Sequence, residues 1–254
     1  MDLPDHGRTA AAFGEQPYDF KAMGEDVLHT LSMLQISRAH LLGHSAGGKV
    51  VASASLSAQQ MQMQMQPPPK DRVDILSTTL MDISPIHYDP AEPEFSHVVA
   101  TVEFLAKSSA AMRLAKSKTE AFSIIASSIP DRSLGLFLQA SLQPIGTGDG
   151  GFEWKFNVPG IKASLDAIVG WPYDDPIVPL QRPVLLIKGS KSNFVKSSHL
   201  PEIATKFPLF TLASVDAGHW LHVEKPSEVV DLVANFIFQV MAWHAEQSTV
   251  RGSH

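Results

Sequence analysis

Gly43-His44-Ser45-Ala46-Gly47 stands between a short apolar run, Ala39-His40-Leu41-Leu42-Gly43, and a stretch of small residues that reaches Ser57. Read locally, this is a strand, a sharp turn whose flanking glycines let backbone approach backbone, and a helix suited to close packing. Strand-turn-helix units of this kind assemble into a sheet layered with helices.

The rest of the chain carries the same alternation. Phe20, Met23, Val27, Leu31 and Leu34 recur at spacings of three and four, which predicts an amphipathic helix over residues 18–35. Val73 to Ile83 is apolar and β-branched and ends in Asp82-Ile83-Ser84-Pro85, a strand that the proline closes. Val98, Val102, Leu105, Ala106, Phe122, Ile125 and Leu136 predict two or three helices between Glu94 and about Ser141, read as a helical cap inserted at about residues 90–170. Pro183 to Gly189 and Leu209 to Asp216 predict two more strands, with a helix over Pro201 to Phe207 between them and a last helix from Pro226 to about His244. Gln59 to Pro69 alternates Gln with Met and then gives three prolines, so a solvated loop insertion is expected at about 58–72. Strands alternating with helices argue for a mostly parallel α/β sheet. With 254 residues, 44% of them hydrophobic, a single domain over 1–254 is expected.

Composition removes several function classes. The 20 Lys and Arg are outnumbered by 26 Asp and Glu, for a net charge of −6, and no dense basic run occurs, which argues against nucleic acid as a partner. The absence of cysteine excludes disulfides, thiolate metal sites and a cysteine nucleophile. No apolar run nears the roughly 20 residues needed to span a bilayer, and Met1 to Asp5 lacks the pattern of a secretion signal. A soluble, cytoplasmic protein is expected.

Gly43 to Gly47 fits G-x-S-x-G, the turn that exposes a nucleophilic serine between a strand and a helix. A serine hydroxyl needs a base to take its proton and an acid to orient that base. Of the 11 histidines, His219 follows the last strand candidate within Asp216-Ala217-Gly218-His219-Trp220, where the chain order Ser, acid, His puts the base. His222 reads as its packing or hydrogen-bonding neighbour, and His6, His29, His40, His44, His87 and His97 are given ordinary structural roles. The turn after the next-to-last strand, Gly189-Ser190-Lys191-Ser192-Asn193, offers no carboxylate. Asp82, at the carboxyl end of the strand after the nucleophile helix, is the favoured acid. Asp166, Asp174 and Asp175 stay open as rivals. The backbone N–H of Ala46, next after the nucleophile, is the expected first oxyanion donor.

These motifs resemble the α/β-hydrolase superfamily, and within it the small esterases around α/β-hydrolase domain-containing protein 11. Gly43 to Lys49 looks like that group's nucleophile turn, Asp82-Ile83-Ser84-Pro85 like its acid motif, and Gly218-His219-Trp220-Leu221-His222 like its histidine motif. Asp2, His6 and Gly7 match an early D-x-x-N-H-G-x-S turn, with Asp5 and Thr9 in place of its Asn and Ser; Gly189, Ser192, Phe194 and Val195 partly match a G-G-N-S-x-F-V segment. The resemblance implies that strands and an H-G oxyanion loop precede the Asp2 turn in the family, so the chain reads as an N-terminally truncated α/β-hydrolase fold. It also implies a mitochondrial alternative to the cytoplasmic placement.

The expected activity is hydrolysis of a small carboxylic ester or thioester through an acyl-Ser45 intermediate, with His219 and Asp82 completing a triad and neither metal nor organic cofactor required. Two alternatives stand beside it. One is an impaired or inactive fragment that serves as a binding or interaction module; the other keeps the acyl-enzyme but passes the acyl group to an alcohol.

Overall fold

The computed structural model describes residues 1–9, 18–64, 73–89, 92–146, 151–173 and 177–251, side chains of 94 and 248–251 aside. Residues 1–19 with 88–170 form one compact unit, and residues 20–87 with 171–254 form another.

Along the chain, α1 (Phe20–Met33), β1 (Arg38–His44), α2 (Ala46–Gln64) and β2 (Asp74–Met81) begin the larger unit. The smaller unit follows with α3 (Pro93–Leu114), α4 (Lys118–Ser128), α5 (Arg132–Ala140), β3 (Leu142–Pro144), β4 (Phe152–Trp154), α6 (Val158–Ala163) and α7 (Leu165–Val169). The larger unit then resumes with β5 (Val184–Gly189), α8 (Leu200–Lys206), β6 (Phe210–Val215), α9 (Leu221–Glu224) and α10 (Pro226–Arg251).

In the larger unit the four strands form a sheet in the order β1-β2-β5-β6, with every pairing parallel. Strand β5 is central, and Val184 to Ile187 are all buried, as expected of a strand covered on both faces. Leu185 and Ile187 join Met81, Val215, Leu221, Val229, Phe236 and Val240 in one core cluster, which seats α10 on that face. The pleat turns Leu186 to the opposite face. Helix α2 packs along β1 and β2, and its residues from Gly48 to Ala58 are buried throughout. Gly24 of α1 lets the helices close up, since a Cβ there would meet the Ala54 backbone nitrogen at 2.6 Å.

The smaller unit is built on the core of Leu105, Met112, Ala121, Ile125, Leu138, Phe152, Trp154 and Val158. Helices α4 and α5 start where side chains supply missing backbone acceptors: Ser117 accepts from the Glu120 amide at 3.2 Å and Asp131 from the Leu134 amide at 2.8 Å. The antiparallel pair β3 and β4 had no alternation to reveal it. The N-terminal turn ties to this pair and its exit, with Gly7 N–H donating to the Lys155 carbonyl at 2.8 Å and Asn157 N–H to the Asp5 carbonyl at 2.8 Å.

One expectation needs correction. Gln59 to Gln64, read as the start of a loop, continue α2. Gln and Met are good helix formers, and their alternation carries no strong period. Gln59 also locks the helix end, donating to the Pro179 carbonyl at 2.9 Å and accepting from the Gln181 amide at 2.7 Å. Residues 65–72, the rest of the expected insertion, lie outside the described residues. Among the described residues no helix is long and apolar enough to cross a membrane.

The central position of β5 gives a measurable consequence. Leu186 is completely buried, so Leu186→Ala should cost about 2–5 kcal/mol in urea unfolding. Leu212→Ala on edge strand β6, where the side chain is 40% exposed, should cost a fraction of that.

Candidate active site

The site lies at the carboxyl ends of three strands of the larger unit. Ser45 follows β1 directly, Asp82 follows β2 directly, and His219 sits in the connection from β6 to α9. Ser45 and Asp82 both hold left-handed backbone, with φ of 53° and 50°. Non-glycine residues adopt that region at a cost, and it persists where surrounding structure enforces it. Here the Ser45 amide donates to the Met81 carbonyl at 3.0 Å, and the Asp82 amide to the Ile187 carbonyl at 2.8 Å. Each strained residue is thus pinned to the end of the neighbouring strand.

The glycine requirement of the serine turn falls on Gly43 and Gly48. A Cβ on Gly43 would lie 2.1 Å from the Gly47 carbonyl oxygen, and one on Gly48 would lie 2.4 Å from Ile83 Cγ2. Gly47, expected to be needed as the second flank, has no atom within 4 Å of its would-be Cβ. The crowding is between the first turn of α2, including the Gly47 carbonyl, and the end of β1, while a Cβ on Gly47 would point into open space.

The three candidate side chains meet. His219 Nε2 is 3.0 Å from Ser45 Oγ, and His219 Nδ1 is 2.8 Å from Asp82 Oδ2. Asp82 has no solvent exposure. Its Oδ1 accepts from the Gly189 amide at 2.8 Å, and its Oδ2 also accepts from the Ser192 hydroxyl. A carboxylate on Nδ1 fixes the tautomer that leaves Nε2 bare to accept the serine proton. Ala46 opens α2, and its amide is among those that a helix leaves without an internal acceptor. Of the rival acids, Asp166 lies in the first turn of α7, in the smaller unit; Asp174 and Asp175 lie outside the described residues.

The profile of the alpha/beta hydrolase family matches residues 1–232. The chain belongs to that family. It is 30% identical over 250 residues to the sn-1-specific diacylglycerol lipase ABHD11 of Xenopus laevis, a match covering 93% of this chain and 69% of that protein. It is 27% identical over 238 residues to Esterase YbfF of Escherichia coli (strain K12), covering 93% of this chain and 81% of that one. The solved structure of a marine microorganism esterase shares the fold, with a TM-score of 0.75 at 23% identity over 86% of this chain and 77% of that one. The resemblance read from the motifs is therefore a family membership.

Three further residues of this family member surround the imidazole, and sequence reasoning gave none of them a place at the site. Ser192 shares Asp82 Oδ2 with His219. Phe194 lays its ring 4.2 Å from the His219 ring, at 33°. His44 has its ring 4.6 Å from that of His219 and donates from Nε2 to the His219 carbonyl at 2.7 Å. The partial G-G-N-S-x-F-V match was the available signal for Ser192 and Phe194. Ser84 and His199, joined at 2.9 Å, anchor this loop, since the Ser84 hydroxyl also lies 3.2 Å from the Phe194 carbonyl.

Burial pushes the His44 imidazole down to about 4, and the nearby His219 ring adds to the shift. The unfolded chain would protonate this side chain near 6.5. Stability contributed at His44 is therefore complete above about 6.5 and is lost as the pH falls towards about 4, because only the unfolded chain binds the proton in that window. His222, whose imidazole is also lowered by burial, acts with the same sign. In urea unfolding followed from pH 7.5 to pH 4, His44→Gln should lose less stability than the wild type. Parallel pH profiles would remove His44 from the titration.

Proposed function

We propose that this α/β hydrolase is a serine hydrolase that cleaves carboxylic esters or thioesters through an acyl-Ser45 intermediate. The observation that carries the reading is the double engagement of His219, with Nε2 on Ser45 Oγ and Nδ1 on Asp82 Oδ2. Relatives named as an esterase and a diacylglycerol lipase support the ester as the substrate class. Thioesters extend the same acyl chemistry to a better leaving group.

In this mechanism Ser45 Oγ attacks the substrate's carbonyl carbon while its proton passes to His219 Nε2. The carbonyl π pair moves onto oxygen, and the Ala46 amide at the start of α2 donates to that oxyanion. His219, now an imidazolium facing the Asp82 carboxylate, gives the proton to the departing alkoxide or thiolate as the bond to it breaks. Water repeats the sequence on the acyl-enzyme: His219 takes its proton, and Ser45 Oγ is expelled with that proton returned. Asp82 stays ionised and acts by holding the ring and facing its positive charge.

A fluorophosphonate probe tests the nucleophile and its base. The wild type should label covalently, Ser45→Ala should not label at all, and His219→Ala should label far more slowly. Equal labelling of the three proteins would remove the proposal, and a wild type that binds ester analogues without labelling would support the binding-module alternative. Separately, Asp82→Asn should lower kcat on an activated ester on the order of 10⁴-fold, as the same change does in a serine protease triad. Unchanged turnover would move the acid elsewhere.

A further inference from the structure

We infer that His44, the residue immediately before the nucleophile, is a positioning residue that ties the backbone of the base loop to the nucleophile strand through the hydrogen bond from its Nε2 to the His219 carbonyl. The inference rests on the reading of Ser45, Asp82 and His219 as a triad.

The base loop runs from β6 to α9, and its backbone is fixed at several points. The Val215 carbonyl accepts from the Ser190 amide at 2.8 Å, and the Ala217 carbonyl from the Lys191 amide at 3.0 Å. The Gly218 amide donates to the Glu224 carboxylate at 3.1 and 3.2 Å. The first two ties run to the end of β5, beside the acid, and the third runs forward into α9. None of the three reaches β1, which carries the nucleophile. The 2.7 Å bond from His44 does.

That bond fixes more than a distance. Donation from Nε2 to a carbonyl places a proton on Nε2, and burial of the ring opposes a second proton on Nδ1, so His44 is the neutral tautomer. A neutral ring at 4.6 Å adds no charge against the imidazolium that forms on His219 during turnover. A cation at the same place would oppose it. The ring of His44 also packs against those of Trp220 at 5.4 Å and His222 at 4.4 Å, so its own rotamer is held by the loop it positions. Phe194 covers His219 at 4.2 Å, and His44 lies a comparable distance away. A side chain without a donor at position 44 would fill the volume and leave the His219 carbonyl without this tie. Errors of about 1 Å in such constellations cost on the order of 10²-fold in rate.

The experiment compares wild type, His44→Phe and His44→Gln, with His219→Ala as a spectral reference. The first readout is the low-field proton resonance of the His219 Nδ1–H bound to Asp82, identified by its loss in His219→Ala. The second is the rate of fluorophosphonate labelling. His44→Phe should shift or broaden the resonance and slow labelling on the order of 10²-fold, while His44→Gln, which keeps a donor, should remain within several-fold of wild type. Thermal unfolding shows that each variant is folded, and His44→Leu repeats the comparison if the phenyl ring is not tolerated. An unmoved resonance in His44→Phe overturns the inference whether or not the protein labels. So does equal slowing of Phe and Gln, or slowing without a spectral change. A wild type that fails to label while its resonance responds to His44→Phe overturns the hydrolase reading and leaves the tie to His44 standing.

Discussion

A carboxylate with no exposure to water must have its lost hydration replaced by hydrogen bonds, or its burial would cost far more than a fold of this size can spare. Asp82 is such a group, and the geometry around it follows from that demand. Its two oxygens collect the Gly189 amide, the Ser192 hydroxyl and His219 Nδ1. Those donors arrive from the end of β5, the turn that follows it and the connection after β6, so satisfying the carboxylate also draws these segments together. Ser192 and His219 share Oδ2, so one carboxylate oxygen holds both the turn after β5 and the loop after β6.

The same demand explains which residues the sequence made legible. Ser45 and His219 stand within local patterns, a glycine-flanked turn and a Gly-His-Trp sequence after a strand, and the chemistry of such patterns is local. Asp82 was readable from its position at a strand end, because the expected turn after β5 had no carboxylate to offer. Ser192, in that same turn, carries no carboxylate and so no mark of an acid; it supplies a donor to an acid held elsewhere. His44 does not follow the last strand, so the sequence gives it only an ordinary structural role, and it is the path of a loop 175 positions later that brings it a carbonyl.

Element types followed the hydrophobic period closely, with α1, β1, β2, β5, β6 and α10 all falling on apolar stripes or runs. The failures share a physical origin. Gln59 to Gln64 are helical because propensity and two hydrogen bonds of Gln59 act where hydrophobic period is silent. Strands β3 and β4, three residues each, are too short to show alternation. The motif's spacing points to Gly47, but the steric need belongs to Gly48, because the crowding depends on the direction in which α2 leaves the turn.

Strand order sets the last constraint. Ser45 follows β1 and Asp82 follows β2, but β5 separates β2 from β6, the strand that leads to His219. At about 4.8 Å per strand, the end of β6 starts about 10 Å from β2 and about 14 Å from β1. The base loop must therefore cross the end of β5 to reach both partners. That crossing explains Gly189: a Cβ there would lie 2.3 Å from the Gly218 carbonyl oxygen and 2.7 Å from that of Ala217. The missing side chain lowers the loop onto the sheet edge, where the Gly189 amide serves Asp82 and the Lys191 amide holds the Ala217 carbonyl. A loop carried that far from its own strand needs a hold at its far end, and the far end is where His44 meets it.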